Sequence, residues 1–228
     1  MTIIHDDKQL FQLMKAELFT AVVGDVLDAL GFTHQFLPPQ IKALDPTMVV
    51  AGRAMPVLEA DSYSERITTP DKNKPFGLMF EALDSLRNNE VYIATGSSPT
   101  YALWGELMTT RAQKLGAAGV VLDGYSRDTR GIMRLGFPTF SYGNYAQDQR
   151  LRGRVIDFRC AIQFDNGVVV RPNDIVFGDI DGVVIIPREA EITIIQEACN
   201  KVRGENEVRK AIEGGMSTVE AFRSFGIM

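Results

Sequence analysis

The chain has 228 residues, 45% hydrophobic and 23% charged, which is enough apolar content for one substantial core in a soluble globular protein. Its 24 Lys and Arg against 29 Asp and Glu give a formal net charge of −5 without a basic cluster, so direct binding to DNA or RNA is not expected. Cys160 and Cys199 have no CxxC or His companion, which argues against zinc and a disulfide framework and fits a reducing cytoplasm. No apolar run approaches the roughly 20 residues that span a bilayer, and Met1 to Asp7 lacks a signal-peptide pattern, so no membrane role is expected.

In chain order, Asp7 is placed to cap a first helix with Leu10, Phe11, Leu13, Met14 and Leu18 at helical spacing. Thr20 is placed to cap a second, which carries Val22, Val23, Val26, Leu27 and Leu30 and stops at Gly31. Asp25 and Asp28 share a face of that helix, most simply a solvated one. Pro38, Pro39 and Pro46 enforce a loop before a strand from Met48 that continues to Leu58. The polar stretch Ala60 to Lys74 reads as a surface loop or a cover over a site. Phe76 to Leu86 carries a helical stripe, and Val91 to Ala94 is a strand.

Trp104 to Asp128 draws the most attention. A short helix starts at Gly105 and Glu106 and ends at Gly116, and the apolar run Val120, Val121, Leu122 reads as a strand buried on both faces. Asp123, Arg127 and Asp128 follow at its exit, where rigid scaffolds present functional groups. The backbone N–H groups of residues 105 to 108 lack partners inside their helix and suit a carboxylate or phosphate.

Further on, Ile132 to Leu135 suggests a helical turn ended by Gly136, and Pro138 to Tyr142 a strand. Val155 to Phe164 reads as one strand, with a hairpin at Asp165, Asn166, Gly167 returning through Val168 to Val170. Two short strands, Ile175 to Phe177 and Val183 to Ile186, flank a turn in which Asp179 and Asp181 serve as Asx residues. Helices from Ala190 and after Ser217 end the chain. This order of elements implies a mixed α/β fold. His5 and His34 lack metal-ligand spacing, and Lys114 and Lys74 give no Schiff-base context.

Several ordered motifs together resemble the RraA-like proteins: TAVVGDVLDALG at 20 to 31, GELM at 105 to 108, GVVLDGYSRD at 119 to 128, GFPTF at 136 to 140, VRPND at 170 to 174 and GDIDGVVIIP at 178 to 187. The group includes the metal-dependent 4-hydroxy-4-methyl-2-oxoglutarate and 4-carboxy-4-hydroxy-2-oxoadipate aldolases. The resemblance implies a three-layer β/β/α swivelling domain assembled into trimers or hexamers. It would occupy residues 1–228 as a single domain, with a core at about 20–188 and a helical extension at 189–228.

It further implies a 2-oxo acid substrate and a divalent cation, Mg2+ or Mn2+. Backbone amides of Gly105, Glu106, Leu107 and Met108 would hold the pyruvyl carboxylate, and Arg127 would contact the substrate. Asp128 would bind the metal directly and Glu106 through water. A glutamate from a neighbouring subunit's carboxy-terminal helix, Glu205 or alternatively Glu207, would complete the site. The expected reaction is retro-aldol cleavage of a 4-hydroxy-2-oxo acid to pyruvate, with oxaloacetate decarboxylation by the same machinery. The rival role within the family is a non-catalytic binder that inhibits a ribonuclease. Three departures stand out: Asn173 replaces the usual glycine of a PGD turn, the loop from Ala60 to Pro75 is longer and more polar than in the shortest members, and Leu107 replaces a polar residue.

Overall fold

A computed structural model describes residues 6–62 and 74–226. His5 and most of the polar stretch between Ala60 and Lys74 lie outside the described residues.

Two helices open the chain, α1 (Asp7–Glu17) and α2 (Thr20–Ala29). Strands β1 (Lys42–Ala43) and β2 (Val50–Asp61) follow, then α3 (Met79–Asp84), β3 (Glu90–Thr95), β4 (Ala102–Trp104), α4 (Glu106–Lys114), β5 (Gly119–Leu122) and β6 (Tyr125–Ser126). Next come α5 (Thr129–Leu135), β7 (Thr139–Ser141), β8 (Gly153–Phe158), β9 (Ile162–Gln163), β10 (Val169–Val170), β11 (Ile175–Gly178) and β12 (Val183–Ile186). The long α6 (Glu191–Glu213) and α7 (Thr218–Phe225) end it, the latter opened by a capping box at Ser217 and Glu220.

Eight strands form one mixed sheet in the order β1-β7-β5-β3-β2-β11-β12, with β8 on the second half of β2. Pairing from β2 through β3 and β5 to β7 is parallel. Alternation sorts the side chains. Met55, Val57, Tyr92, Ala94, Val120 and Leu122 face the layer made by α3, α4 and α5. Ala54, Val91, Ile93, Val121 and Phe140 face the opposite side, where the β9–β10 hairpin closes over them with Ile162, Phe164 and Val170. Helices α1, α2 and α6 cover Phe177, Val184 and Ile186 of β11 and β12. The architecture is the mixed α/β arrangement expected of an RraA-like chain.

Local boundaries correct the sequence reading in four places. Asp6, not Asp7, caps α1, its carboxylate accepting from the Gln9 amide at 2.8 Å. Thr20 is the first residue of α2 rather than its cap; its amide and hydroxyl both donate to the Asp179 carboxylate at 2.7 Å. The stripe from Phe76 shortens to a helix at Met79. The strand expected over 155–164 breaks at Arg159, whose φ of 57° leaves the ladder while its guanidinium donates to the buried Glu90 carboxylate at 2.7 and 2.8 Å.

Candidate active site

Two short strands position the site. Strands β4 and β6 pair in parallel, with Ala102 beside Tyr125 and Trp104 beside Ser126, and the Arg127 amide donates to the Trp104 carbonyl at 2.8 Å. Each runs directly into a helix, so the start of α4 at Gly105 and the start of α5 at Asp128 lie side by side. The result is two adjacent helix N-termini, each carrying a positive partial charge.

Gly105 is the N-cap of α4 in extended conformation and offers no side-chain cap. The amides of Glu106, Leu107 and Met108 are the unpaired donors of that first turn. A Cβ at position 105 would lie 2.7 Å from Asp128 Oδ2, so glycine is what lets the carboxylate sit against the turn. Asp128 itself adopts a left-handed conformation (φ 56°, ψ 33°), which Asp tolerates better than most residues. Its side chain is half exposed, and its nearest cation is Arg127, with Nε 3.9 Å from Oδ2. The Arg127 guanidinium also pairs with Asp148, Nη1 to Oδ1 at 3.0 Å.

Gly105, Leu107, Met108, Arg127 and Asp128 line one open pocket of about 230 Å³, together with Asp148, Gln149, Trp104 and an apolar wall that includes Phe76, Met79 and Phe80. Glu106 does not line it. Its carboxyl lies over Gly131, where a Cβ would collide with it, and it accepts from Arg134 Nη2 at 3.3 Å. Glu205 is on α6, whose packing partners include α1, α2 and α7; none of these helices lines the pocket, and neither does Glu205. Glu207 is engaged with Lys210 at 2.9 Å. Asp123 is structural: buried at the end of β5, it accepts from the Thr95 hydroxyl at 2.5 Å and the Tyr142 hydroxyl at 2.7 Å. Burial and that carboxylate push the Tyr142 phenol upward.

Asp148, Gln149 and Glu59 were invisible in the sequence. The backbone contact that brings Asp148 beside Ala102, with the Ala102 amide donating to the Gln147 carbonyl at 2.8 Å, spans more than forty residues and has no local signature. Glu59 lies behind the pocket wall, 1% exposed, and accepts from Gln149 Nε2 at 2.7 Å. Burial pushes its carboxyl up to about 8, against the opposing effect of the Gln149 bond. Its other oxygen has no hydrogen-bond partner among the described residues.

Among the described residues, no group of three or more His, Cys, Asp or Glu is placed to hold a metal ion. The carboxylates lining the pocket, a half-exposed Asp128 beside an Asp148 already paired with Arg127, suit a hard cation that keeps most of its ligands as water or substrate oxygens.

Fold and pocket thus define a mixed α/β protein with free first-turn amides, an arginine and a carboxylate at paired helix starts. The chain belongs to the RraA-like family, described as Aldolase/RraA, whose profile matches residues 20–185. A relative from Halalkalibacterium halodurans, named provisionally as a 4-hydroxy-4-methyl-2-oxoglutarate aldolase, is 29% identical over 203 residues, 89% of each chain. Among solved structures, an uncharacterised protein from Pseudomonas syringae superposes with a TM-score of 0.81 at 21% identity, covering 99% of this chain and 100% of the other. Streptomyces coelicolor RraAS2, described as an unusual member of the RNase ES inhibitor RraA family, superposes with a TM-score of 0.76 at 21% identity, covering 90% and 98%. At those identities the two structures bear on the fold alone. No helix among the described residues is long and apolar enough to cross a membrane.

Proposed function

We propose that the chain is a divalent-metal-dependent pyruvate aldolase that cleaves a 4-hydroxy-2-oxo acid in the cytoplasm and decarboxylates oxaloacetate as a side activity. The observation that carries this reading is the convergence of the free α4 amides, Arg127 and Asp128 on one pocket. The amides of Glu106, Leu107 and Met108 receive the substrate's C1 carboxylate at the positive end of α4. Arg127, held in place by Asp148, presents a permanent positive charge to the C2 oxygen. The C4 hydroxyl gives its proton to a water in the pocket, the C3–C4 bond breaks with its electron pair passing to C3 while C4 leaves as a carbonyl product, and the pyruvate enolate, its oxygen facing that guanidinium, takes a proton from water at C3. Asp128 would hold Mg2+ or Mn2+, which when bound supplies Lewis-acid polarisation of the keto oxygen. Glu106, from its place over Gly131, and Glu205 of a neighbouring copy in a homotrimer or homohexamer would hold the ion's waters. Oxaloacetate fits the same scheme, because loss of CO2 also leaves a pyruvate enolate.

The test is a pyruvate-coupled assay on a panel of 4-hydroxy-2-oxo acids and oxaloacetate, with Mg2+ or Mn2+ and with chelator. Metal-dependent pyruvate release is expected, and its absence from every substrate ends the proposal. Asp128→Ala should abolish release, and Arg127→Lys should lower kcat by about 10² to 10³, the usual loss for one oxyanion donor. Asp128→Ala also separates this reading from the ribonuclease-inhibitor role, since a binding surface should survive it.

A further inference from the structure

Gln149 lines the pocket, yet it is only 3% exposed. Its Nε2 turns away from the pocket and donates to the buried Glu59 carboxyl at 2.7 Å. The other polar atom of a glutamine amide is its carbonyl oxygen, an acceptor on the second arm of the fork. The backbone that carries this side chain is held on both sides. The Ala102 amide donates to the Gln147 carbonyl at 2.8 Å, and the Gln149 carbonyl accepts from the Arg152 and Gly153 amides at 2.7 and 3.0 Å. Asp148 bridges Ala102 through its backbone and Arg127 through its carboxylate, Oδ1 to Nη1 at 3.0 Å. Gln149 therefore enters the pocket beside the first residues of β4, whereas the α4 amides lie just past that strand's last residue, Trp104. Along β4 the two are roughly 7 to 10 Å apart, two or three steps of an extended chain. A substrate with its C1 carboxylate on the amides and its carbon chain along β4 brings C4 within one water of Gln149.

Resting on the aldolase reading, we propose that the Gln149 amide oxygen, aimed by Glu59, holds the water that takes the C4 hydroxyl proton. The water donates one hydrogen to Oε1 and turns a lone pair to the hydroxyl. It receives the proton as the C3–C4 bond breaks, the bond's electron pair passes to C3 and C4 leaves as the carbonyl product. The positive charge the water gains is stabilised by the Gln149 carbonyl dipole and by the neighbouring Asp148 carboxylate. With the amide reversed, Nε2 would offer this water a hydrogen and oppose the transfer, so the bond to Glu59 sets the direction that assists it. Oxaloacetate has no C4 hydroxyl, and its loss of CO2 does not call on this water. Gln149 and Glu59 are thus positioning residues for one of the two activities proposed for the pocket.

The test measures, on the full chain with Mn2+, the ratio of kcat for 4-hydroxy-4-methyl-2-oxoglutarate cleavage to kcat for oxaloacetate decarboxylation. Gln149→Leu should lower that ratio at least about tenfold, part of the roughly 10² to 10⁴ that a positioned proton acceptor supplies. The loss should fall on kcat of the aldol substrate rather than on its KM. Glu59→Leu, which frees the Gln149 amide to turn, should lower the ratio in the same sense. Glu59→Gln, which still offers an acceptor to Nε2, should keep it. Decarboxylation in the same preparation reports whether each variant is folded. An unchanged ratio in Gln149→Leu overturns the proposal alone, including the case where both activities fall together. So does a ratio that drops in Gln149→Leu but not in Glu59→Leu. Absence of pyruvate release from both substrates in the natural chain would instead retire the aldolase reading, and this proposal with it.

Discussion

Glu59 is a carboxylic acid buried behind the pocket with a neutral amide as its partner. Burial of an acid favours its neutral form, and this one keeps its proton up to about pH 8, against 4.5 for an ordinary glutamate. Between those two values the folded chain holds a proton that the unfolded chain has released. Stability contributed by the neutral acid is therefore complete below pH 4.5 and falls as pH rises through 8. The slope from this group is at most about 1.4 kcal/mol per pH unit. Urea titrations across that window should show the decline in the natural chain and its loss in Glu59→Gln, which still offers an acceptor to Gln149 but cannot ionise. An unchanged slope in the variant would place the titration elsewhere. Gly105 gives a second prediction at this scale. In Gly105→Ala the new Cβ would meet the Asp128 carboxylate at 2.7 Å and displace it from the turn. Metal-dependent pyruvate release should fall by at least about tenfold, with a thermal midpoint within a few degrees of the natural chain's, since the residue's extended backbone suits alanine.

Helix α2 begins without a cap of its own. Asp179, in the turn between β11 and β12, supplies the acceptor for both the Thr20 amide and hydroxyl, and also accepts from the Asp181 amide at 3.0 Å. Both residues are buried, so Asp179→Ala strands the Thr20 amide and hydroxyl and should cost about 1–3 kcal/mol for each unsatisfied group. Chemical denaturation would measure it, and a loss below about 0.5 kcal/mol would show that water replaces the carboxylate. The Asx turn was legible from Asp179 and Asp181 beside glycine, but its grip on Thr20 was not, because the two lie 159 residues apart. Strand β2 teaches the same lesson. Its apolar run was readable through Pro56, a residue unexpected inside a central strand. Pro56 is tolerated because β2 changes partners there: Val50 to Arg53 pair with β11 and Val57 to Asp61 with β8. Ala54 donates toward the β11 side, to the Asp174 carbonyl, and Pro56, two residues on, turns its missing N–H to the same edge, at the gap between the two partners. Motif and periodicity singled out Gly105 to Met108, Arg127 and Asp128, and two local helix starts bring all of these but the Glu106 side chain to one pocket. Asp148, Gln149 and Glu59 were beyond reach, since only the tertiary pairing of β4, β8 and β2 brings them to the pocket.

At the scale of the whole molecule, the proposed site needs a carboxylate that the pocket of one chain does not contain. Glu205 sits on α6, which is anchored to α1 and α2 chiefly through its first half, by Ile194, Ile195, Ala198 and Cys199. The second half adds Val208 as its buried residue before α7. A chain ending at Lys201 therefore keeps most of the α6 contribution to the core and should still fold, yet under the shared-site proposal it loses pyruvate release. Mixing makes the argument sharper than truncation. Asp128→Ala and Glu205→Gln should each be inactive as homo-oligomers, because every site lacks one member. If each site draws Asp128 from one copy and Glu205 from the next, random co-assembly of the two variants restores about a quarter of the sites with both groups intact. Recovery of roughly that share of natural activity after joint refolding is the expected result. Absence of recovery from demonstrably mixed oligomers would confine the site to one subunit. Full activity of Glu205→Gln alone, with loss in Glu207→Gln, would move the shared carboxylate two residues along α6.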